Sequence, residues 1–231
     1  MIKINNVKKR YANGVIALDG LSVDIDQGEF VFIIGPSGAG KSTLIKTLYC
    51  EEKVDSGSIY VSKKDITKLK HNQVPYYRRQ IGIVFQDFKL LKDQTVYQNV
   101  AFALEVTGVH HKDIREKTMN ALKTVGLRHK AKMYPDELSG GEQQRVAIAR
   151  GIVREPRLLI CDEPTGNLDP MISEEIMNTL SEVNRQGMTI LMATHDTRVV
   201  NKYGHRVITI VGGQVSEDRR EGGYTLHESE Y

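Results

Sequence analysis

The sequence predicts an α/β fold in which a mostly parallel, buried sheet carries an added antiparallel layer and is interrupted by a helical section. Solid apolar runs of four or five residues, typical of strands buried on both faces, recur along the chain. Runs that alternate apolar and polar residues precede them. A stretch with helical spacing separates the second solid run from the third.

The alternating runs and the solid apolar runs each predict a set of strands. Residues 2–4 and 21–25 alternate, which predicts half-exposed strands of an antiparallel layer. The solid runs predict four strands of the parallel sheet, of which the last is expected to be the final core strand. They are residues 30–34, 81–85, 158–161 and 190–193.

The helical section begins with a capping signal. Thr95 and Gln98 have the spacing of a capping box, and Gly108 is expected to end the helix that follows. A second helix is predicted over residues 113–125. These helices predict a helical subdomain inserted into an α/β core.

A later helix is predicted to start at Asp169, as N-cap, with Pro170 in the first turn, and to end at Gly187. With 231 residues and no linker-like segment, the chain is interpreted as one domain. Its predicted parts are a core of residues 1–86 and 157–217, a helical subdomain of residues 87–156 and a polar tail of residues 218–231.

Composition excludes several classes of protein. The 32 basic and 29 acidic residues are interspersed, so the net charge of +3 does not predict a nucleic-acid partner. The start of the chain lacks an apolar signal core, and the longest apolar stretch, residues 30–34, is far below a membrane span. The only two cysteines favour a reducing compartment. We expect a cytoplasmic protein unless a partner holds it at a membrane.

A phosphate-binding loop follows the first buried strand. Residues 35–42 read GPSGAGKS and precede a helix-prone segment, the strand-loop-helix context that this pattern requires. Backbone N–H groups of such a loop surround the β-phosphate, Lys41 adds a point charge, and Ser42 offers a hydroxyl to Mg²⁺. This context argues against a plain glycine-rich turn and predicts ATP or GTP binding. The predicted nucleotide-binding residues here are Gly35, Pro36, Ser37, Gly38, Ala39, Gly40, Lys41, Ser42 and Thr43.

Two adjacent carboxylates end the strand of residues 158–161. Asp162 and Glu163 are therefore expected at the carboxyl edge of the sheet, where ligands bind in open α/β folds. In a protein with this loop, the first acid is placed to hold Mg²⁺ and the second to polarise the attacking water. His195 follows another strand, but a single histidine is more often structural.

Residues 138–145 read LSGGEQQR, the string that identifies ABC ATPases, and the chain resembles that family over nearly its whole length. Ser139 and Glu142 have the spacing of a capping box. The helix that follows, expected to run through Arg154, would present its positive dipole end to an anion. The resemblance implies the P-loop NTPase fold with a RecA-like core, in the form that ABC ATPases have.

The resemblance also implies a head-to-tail homodimer that binds two ATP molecules between its chains. It implies that Tyr11 stacks on adenine, that Gln86 contacts Mg²⁺ and water, and that His195 is the switch histidine. Lys41 and Glu163 are further catalytic residues, and Ser42, Gln86 and Asp162 the metal-site residues, of an Mg-dependent ATPase. Residues implied to contact ATP bound by the other copy are Ser139, Gly140, Gly141, Glu142 and Asp169, the last within a D-loop at residues 167–169.

Three further strings resemble one subgroup of the family, the ATPases of bacterial cell division. They are residues 84–91, 95–100 and 192–196. The subgroup implies an integral membrane partner that holds the ATPase at the inner face of the cell membrane and passes its motion to cell-wall hydrolases. The alternative within the family is the ATPase of a lipoprotein-releasing or macrolide-export transporter, whose motifs are nearly the same.

Two interpretations from other classes are less favoured. A DNA-repair or chromosome-structuring ABC ATPase would need a long coiled coil between residues 42 and 138, and no sustained heptads occur there. A scaffold that binds ATP without turnover would not need Glu163 as a general base.

The segment after Gln86 carries large apolar residues among charged ones. Phe88, Leu90 and Leu91 are expected to line a groove for a cytoplasmic helix of the membrane partner. The alternative is that these three residues pack against the inserted helices.

Overall fold

A computed structural model describes residues 1–166 and 168–220 of the chain. In these residues no helix combines the length and the apolar character needed to cross a membrane. The strands here are β1 (Ile2–Arg10), β2 (Ile16–Ile25), β3 (Phe30–Ile34), β4 (Ser56–Val61), β5 (Lys64–Asp65), β6 (Gly82–Val84), β7 (Leu158–Asp162), β8 (Thr189–Ala193), β9 (Arg206–Val211) and β10 (Gln214–Arg219). The helices are α1 (Lys41–Leu48), α2 (Val74–Arg78), α3 (Val96–Glu105), α4 (His111–Thr124), α5 (Gly140–Ile152), α6 (Pro170–Arg185) and α7 (Thr197–Tyr203).

The strands form two sheets. Strands β2, β1, β4 and β5 pair antiparallel in that order, which confirms the predicted antiparallel layer. The main sheet has the order β10-β9-β3-β8-β7-β6, and all its pairs are parallel except β10 with β9. The four predicted parallel strands are all present.

The main sheet lies between two apolar cores, and β3 shows how. Phe30, Phe32 and Ile34 face the core shared with α3 to α6, whereas Val31 and Ile33 face the core shared with α1 and the antiparallel layer. Because successive side chains of a strand point to opposite faces, only a continuous apolar run can serve both cores. The carboxyl end of β3 is thereby fixed on both sides, just before the phosphate-binding loop.

The end of the sequence was predicted less well. The run of residues 190–193 is not the final core strand, because β9 follows it and pairs with β3. The apolar run of β9 is broken by Thr209, which weakens its signal in the sequence. The predicted tail is also corrected at its start, since Asp218 and Arg219 belong to β10. The rest of that prediction, from residue 221 onward, lies outside the described residues.

Arg206 joins four elements at this end of the sheet. Its guanidinium is 8% exposed and donates hydrogen bonds to both carboxylate oxygens of Asp218, to Glu29 Oε2 at 2.8 Å and to the Asp24 carbonyl at 2.9 Å. The same contact holds the pKa of the Asp218 carboxyl below its usual value. This network fixes β10 to β9, β2 and the turn before β3.

The helices between β6 and β7 begin and end close to their predicted positions. Thr95 and Gln98 form the predicted capping box of α3, and Ser139 and Glu142 that of α5. Helix α4 begins at His111, two residues earlier than predicted, because the His110 side chain accepts a hydrogen bond from the Lys112 N–H. Helix α5 ends at Ile152, before the predicted Arg154. The division of the chain into a core and a helical subdomain stays a prediction.

Candidate nucleotide-binding and hydrolysis site

The loop between β3 and α1 depends on glycine. A Cβ on Gly35 would lie 2.1 Å from the Ile210 carbonyl oxygen, and one on Gly40 would lie 2.2 Å from that of Ala17. Gly40 is also left-handed, with φ of 107°, and is the N-cap of α1 without offering a side-chain cap. Helix α1 therefore begins with backbone N–H groups that no capping side chain occupies, which suits an anion.

Lys41 lies over this loop. Its Nζ donates to the carbonyl oxygens of Gly35 at 2.6 Å and Pro36 at 2.9 Å. Burial lowers the pKa of the Lys41 ammonium, whereas the nearby charges of Glu163 and Asp162 raise it. An almost buried cation with only neutral carbonyl partners is a favourable neighbour for a phosphate.

A cavity of about 620 Å³ opens above the loop. Besides most residues of the loop, it is lined by Tyr11, Val15, Glu163 and His195. The Tyr11 hydroxyl lies 3.1 Å from Thr43 Oγ1, which joins the aromatic ring to the start of α1. The predicted adenine, phosphate and hydrolysis residues therefore meet at one cavity, and neither Gln86 nor Asp162 is among its lining residues.

Glu163 has an unusual backbone. Its φ is 48°, and its N–H donates to the Ala193 carbonyl of the neighbouring strand at 3.0 Å. The left-handed turn carries the side chain across the end of β8, where Oε2 lies 3.0 Å from His195 Nδ1. A non-glycine residue in this region is costly and marks a constrained position. The predicted base and the predicted switch histidine are thus in contact.

Asp162 is the carboxylate suited to a metal ion. Burial raises the pKa of its carboxyl, and the charge of Glu163 raises it further, while Lys46 and Lys41 oppose the shift. No ion pair holds Asp162 within the described residues. A half-buried carboxylate with this deficit of positive charge fits Mg²⁺ bound with ATP, and the exposed Ser42 hydroxyl at the start of α1 is a second suitable ligand.

Gln86 reaches this site from the end of β6. A Cβ on Gly166 would lie 3.2 Å from Glu163 Oε2 and 3.3 Å from Gln86 Nε2. The two side chains therefore approach the same small residue from different elements. Gly166 was not predicted as a site residue, and the available signal for it was a glycine three positions after Glu163.

The start of α5 differs from the start of α1. Ser139 Oγ accepts from the Glu142 N–H at 3.3 Å, and the Ser139 N–H donates to Glu142 Oε2 at 3.0 Å. Lys130 pairs with Glu142 at 2.5 Å and holds the pKa of that carboxyl below its usual value. None of the residues 139–142 lines the cavity above the loop of the same chain.

The start of α5 packs closely on other parts of its own chain. A Cβ on Gly141 would lie 2.2 Å from Ile172 Cγ2, and one on Gly140 would lie 3.5 Å from Leu168 and 3.9 Å from Phe88. Asp169 is the predicted N-cap of α6, and its Oδ1 accepts from the Met171 and Ile172 N–H groups at 3.0 Å. Of the predicted D-loop, Asn167 lies outside the described residues.

Two cavity residues were not predicted from the sequence. Val15 is 54% exposed although it is aliphatic, and Ala17 lies beside it in β2. The sequence itself shows only an aliphatic residue four positions after Tyr11, and single apolar residues carry little weight by themselves.

Known proteins resemble the chain at the levels of family, sequence and structure. The profile of the ABC transporter family matches residues 18–166. The chain is 54% identical over 224 residues to the cell division ATP-binding protein FtsE of Streptococcus pneumoniae, with 97% of each chain covered. It is 53% identical over 228 residues to the protein of the same name from Bacillus subtilis, covering 99% of this chain and 100% of the relative.

The solved structures include a dimeric ATP-binding cassette in a post-hydrolysis state bound to ADP and Pi. It superposes with a TM-score of 0.87 at 35% identity, covering 97% of this chain and 100% of the other. This agreement confirms the predicted fold class.

Proposed function

Because the chain belongs to the ABC transporter family, we propose that it is a cell-division ATPase that hydrolyses Mg-ATP between two copies of itself and drives an integral membrane partner. The relatives named cell division ATP-binding protein FtsE support this role over nearly the full length of the chain. The dimeric cassette bound to ADP and Pi supports nucleotide turnover in a dimer. The partner in this proposal resembles FtsX, the membrane protein of the FtsEX complex.

The position of Glu163 is the observation that carries the proposal. Its carboxylate lines the cavity above the phosphate-binding loop and contacts His195 Nδ1. A carboxylate at this edge of the sheet can accept a proton from a water that attacks the terminal phosphate. A protein that only binds ATP has no need for such a base.

The remaining residues bind and orient the substrate. The uncapped start of α1 and Lys41 bind the phosphates, and Tyr11 with Val15 contacts the adenine. Ser42, Asp162 and Gln86 would hold Mg²⁺, which would neutralise phosphate charge when bound. His195, held at Glu163 Oε2, orients that carboxylate and reports on the terminal phosphate.

The second copy completes the site. Residues 139–142 lie outside the cavity of their own chain, and the exposed Ser139 and Gly140 can face another chain. In a head-to-tail dimer, Ser139 and Gly141 reach the terminal phosphate bound by the other copy, and Asp169 lies at the same interface. This arrangement explains how ATP binding and dimer formation depend on each other.

Replacing Glu163 with Gln tests the catalytic part. We expect Glu163→Gln to lower kcat by about a thousandfold, because the amide cannot accept the proton, while ATP affinity stays near that of the wild type. ATP should then hold a stable dimer, which size-exclusion chromatography with Mg-ATP can measure. Glu155→Gln, an exposed carboxylate outside the cavity, is the matched control. A Glu163→Gln protein that hydrolyses ATP normally and stays monomeric would contradict the assignment.

The contact with the membrane partner is proposed at the segment after Gln86. Leu91 is 40% exposed, whereas Phe88 and Leu90 are half-buried against the helical core. The expectation of a groove therefore fits Leu91. The alternative, that the residues pack against the inserted helices, fits Phe88 and Leu90. Leu91 is the residue most available to a partner helix.

A paired substitution tests this contact. Leu90→Ser with Leu91→Ser should keep ATP affinity near normal and abolish co-purification with the membrane partner. Val211→Ser, at a residue of similar exposure on β9, is the control. Unfolding of the double variant would assign both residues to the core, and retention of the partner would move the contact elsewhere.

A further inference from the structure

Arg150 is a half-buried cation that the proposed mechanism does not use. It lies in the last turns of α5, and its two terminal nitrogens donate to the carbonyl oxygens of Lys89 at 2.6 Å and Phe88 at 2.7 Å. No carboxylate lies within ion-pair distance of it among the described residues. Burial lowers the pKa of its guanidinium. A guanidinium that donates its hydrogen bonds to two backbone carbonyls positions the backbone and does not form an ion pair.

The backbone that it holds is strained. Phe88 and Lys89 have φ values of 58° and 49°, so two consecutive non-glycine residues are left-handed. Each such residue costs on the order of 1 kcal/mol and persists only where the surroundings enforce it. One residue separates this turn from Gln86. The geometry of the turn therefore fixes the direction of the backbone at Gln86, just after β6. Arg150 supplies two charge-assisted hydrogen bonds that enforce this conformation.

The same turn also approaches the opposite end of α5. The Phe88 ring lies 3.9 Å from the position that a Cβ on Gly140 would take. Gly140 and Arg150 are separated by about 15 Å along the helix axis. The turn is therefore bonded to α5 near the end of the helix, and its Phe88 ring lies close to the start of the same helix.

We infer that Arg150 is a positioning residue that fixes the Phe88–Lys89 turn to α5 and thereby sets Gln86 relative to the signature end of the same helix. The inference rests on the proposed function, because Gln86 and the signature residues serve the two ATP sites of the dimer. When α5 moves with the nucleotide held by the other copy, Gln86 moves with it, because the turn cannot relax independently. The two composite sites are thereby coupled within each chain.

The test is a double-mutant cycle on purified protein with Mg-ATP. Arg150→Met keeps an apolar stem and removes the donors. We expect it to lower kcat about tenfold, because Gln86 is displaced, and to leave KM for ATP within about twofold, because the phosphate-binding loop is intact. In a Gln86→Ala background the same substitution should lower kcat by less than about twofold further.

Two variants separate this role from general stability. Arg154→Met removes a half-buried arginine two residues after the end of the same helix, whose guanidinium makes no hydrogen bond within residues 1–166 and 168–220, and should leave kcat unchanged. Arg150→Lys keeps one donor group and should give an intermediate kcat. If Arg150→Met does not fold, the cycle is run with Arg150→Lys.

Amide hydrogen exchange supplies a second readout. Exchange over residues 86–91 should quicken in Arg150→Met and stay unchanged in Arg154→Met. A full tenfold loss in the Gln86→Ala background, or a raised KM with kcat unchanged, would overturn the inference. Wild-type turnover and its loss in Glu163→Gln test the proposed function separately, so failure of the cycle alone removes only the role of Arg150.

Discussion

The two helix starts that bind phosphate in the proposed mechanism, those of α1 and α5, are built in opposite ways. Helix α1 begins at a left-handed glycine without a side-chain cap and lies in a cavity with Lys41 and Glu163. Helix α5 begins at Ser139 with a complete capping box, and Ser139 and Gly140 are exposed. The first start leaves its donors to a ligand, and the second satisfies part of its donors internally. In the proposed mechanism, the start of α1 is therefore completed by a nucleotide, whereas the start of α5 is already capped before a second chain binds.

The largest expected effect concerns where each start acts. Lys41→Ala should abolish hydrolysis by removing phosphate binding, and Ser139→Arg should abolish it by blocking the contact with the other copy, each by at least about a hundredfold. A mixture of the two variants restores activity, because a mixed dimer contains one site with both parts intact. Steady-state ATPase assays of the separate and mixed proteins measure this.

Each variant alone is the control for the mixture, and fluorescence exchange between labelled subunits verifies that mixed dimers form. If subunits exchange and the mixture is no more active than its components, the α5 start does not act in trans.

The next prediction compares how substitutions of Gly40 and Gly141 change the stability of the chain. Gly40→Ala should lower the free energy of unfolding by about 3 kcal/mol or more, because its Cβ meets a backbone carbonyl at a left-handed position. Gly141→Ala should cost about 1–2 kcal/mol, because its Cβ meets only the Ile172 side chain. Urea denaturation measures both.

The Ile172→Ala substitution distinguishes the two cases. It should restore much of the stability of Gly141→Ala, since it removes the methyl group that the new Cβ would meet, and should do nothing for Gly40→Ala. Equal losses for the two glycine variants, with no rescue, would contradict the proposed difference between the starts.

The smallest effect concerns the charge beside the α1 start. The raised pKa of Asp162 means that the folded, ligand-free chain binds this proton more tightly than the unfolded chain. Its contribution to stability is present below the ordinary carboxyl pKa and is lost as pH rises through the raised value. At pH 7 the ionised carboxylate is therefore destabilising, and Asp162→Asn should raise the free energy of unfolding by about 1 kcal/mol while abolishing turnover.

Urea denaturation without nucleotide at pH 7 measures the effect on stability, and the exposed Asp93 supplies the control Asp93→Asn. Destabilisation by Asp162→Asn would mean that the carboxylate has a structural partner, which would argue against a metal-binding role.

The features that could be predicted from the sequence are those set by residues a few positions apart. The loop of residues 35–42, the capping boxes at Thr95 and Ser139, and the buried strands depend on short spacings, and the structure has them where they were expected. The contact between Glu163 and His195 was accessible only through the family resemblance, because the two residues are brought together by parallel pairing of β7 with β8.

Other features depend on contacts between distant residues and could not be predicted. Arg150 lies 61 positions from Lys89, and the left-handed turn that it holds contains no glycine to signal it. The strand β10 is polar and reads as a tail, and its position follows from the hydrogen bonds between Arg206 and Asp218. A short spacing in the sequence carries no information on such pairs.

Strand β10 has a further consequence where many copies of the chain are present together. It forms one edge of the main sheet in the described part of the chain, and its residues 216–219 are serine followed by three charged side chains. Charged edge strands discourage the strand-to-strand addition that leads to aggregates. Because Arg206 fixes this edge in place, two copies that meet are steered away from merging their sheets. The proposed dimer can then form through the faces that carry the nucleotide, without competition from pairing at this edge.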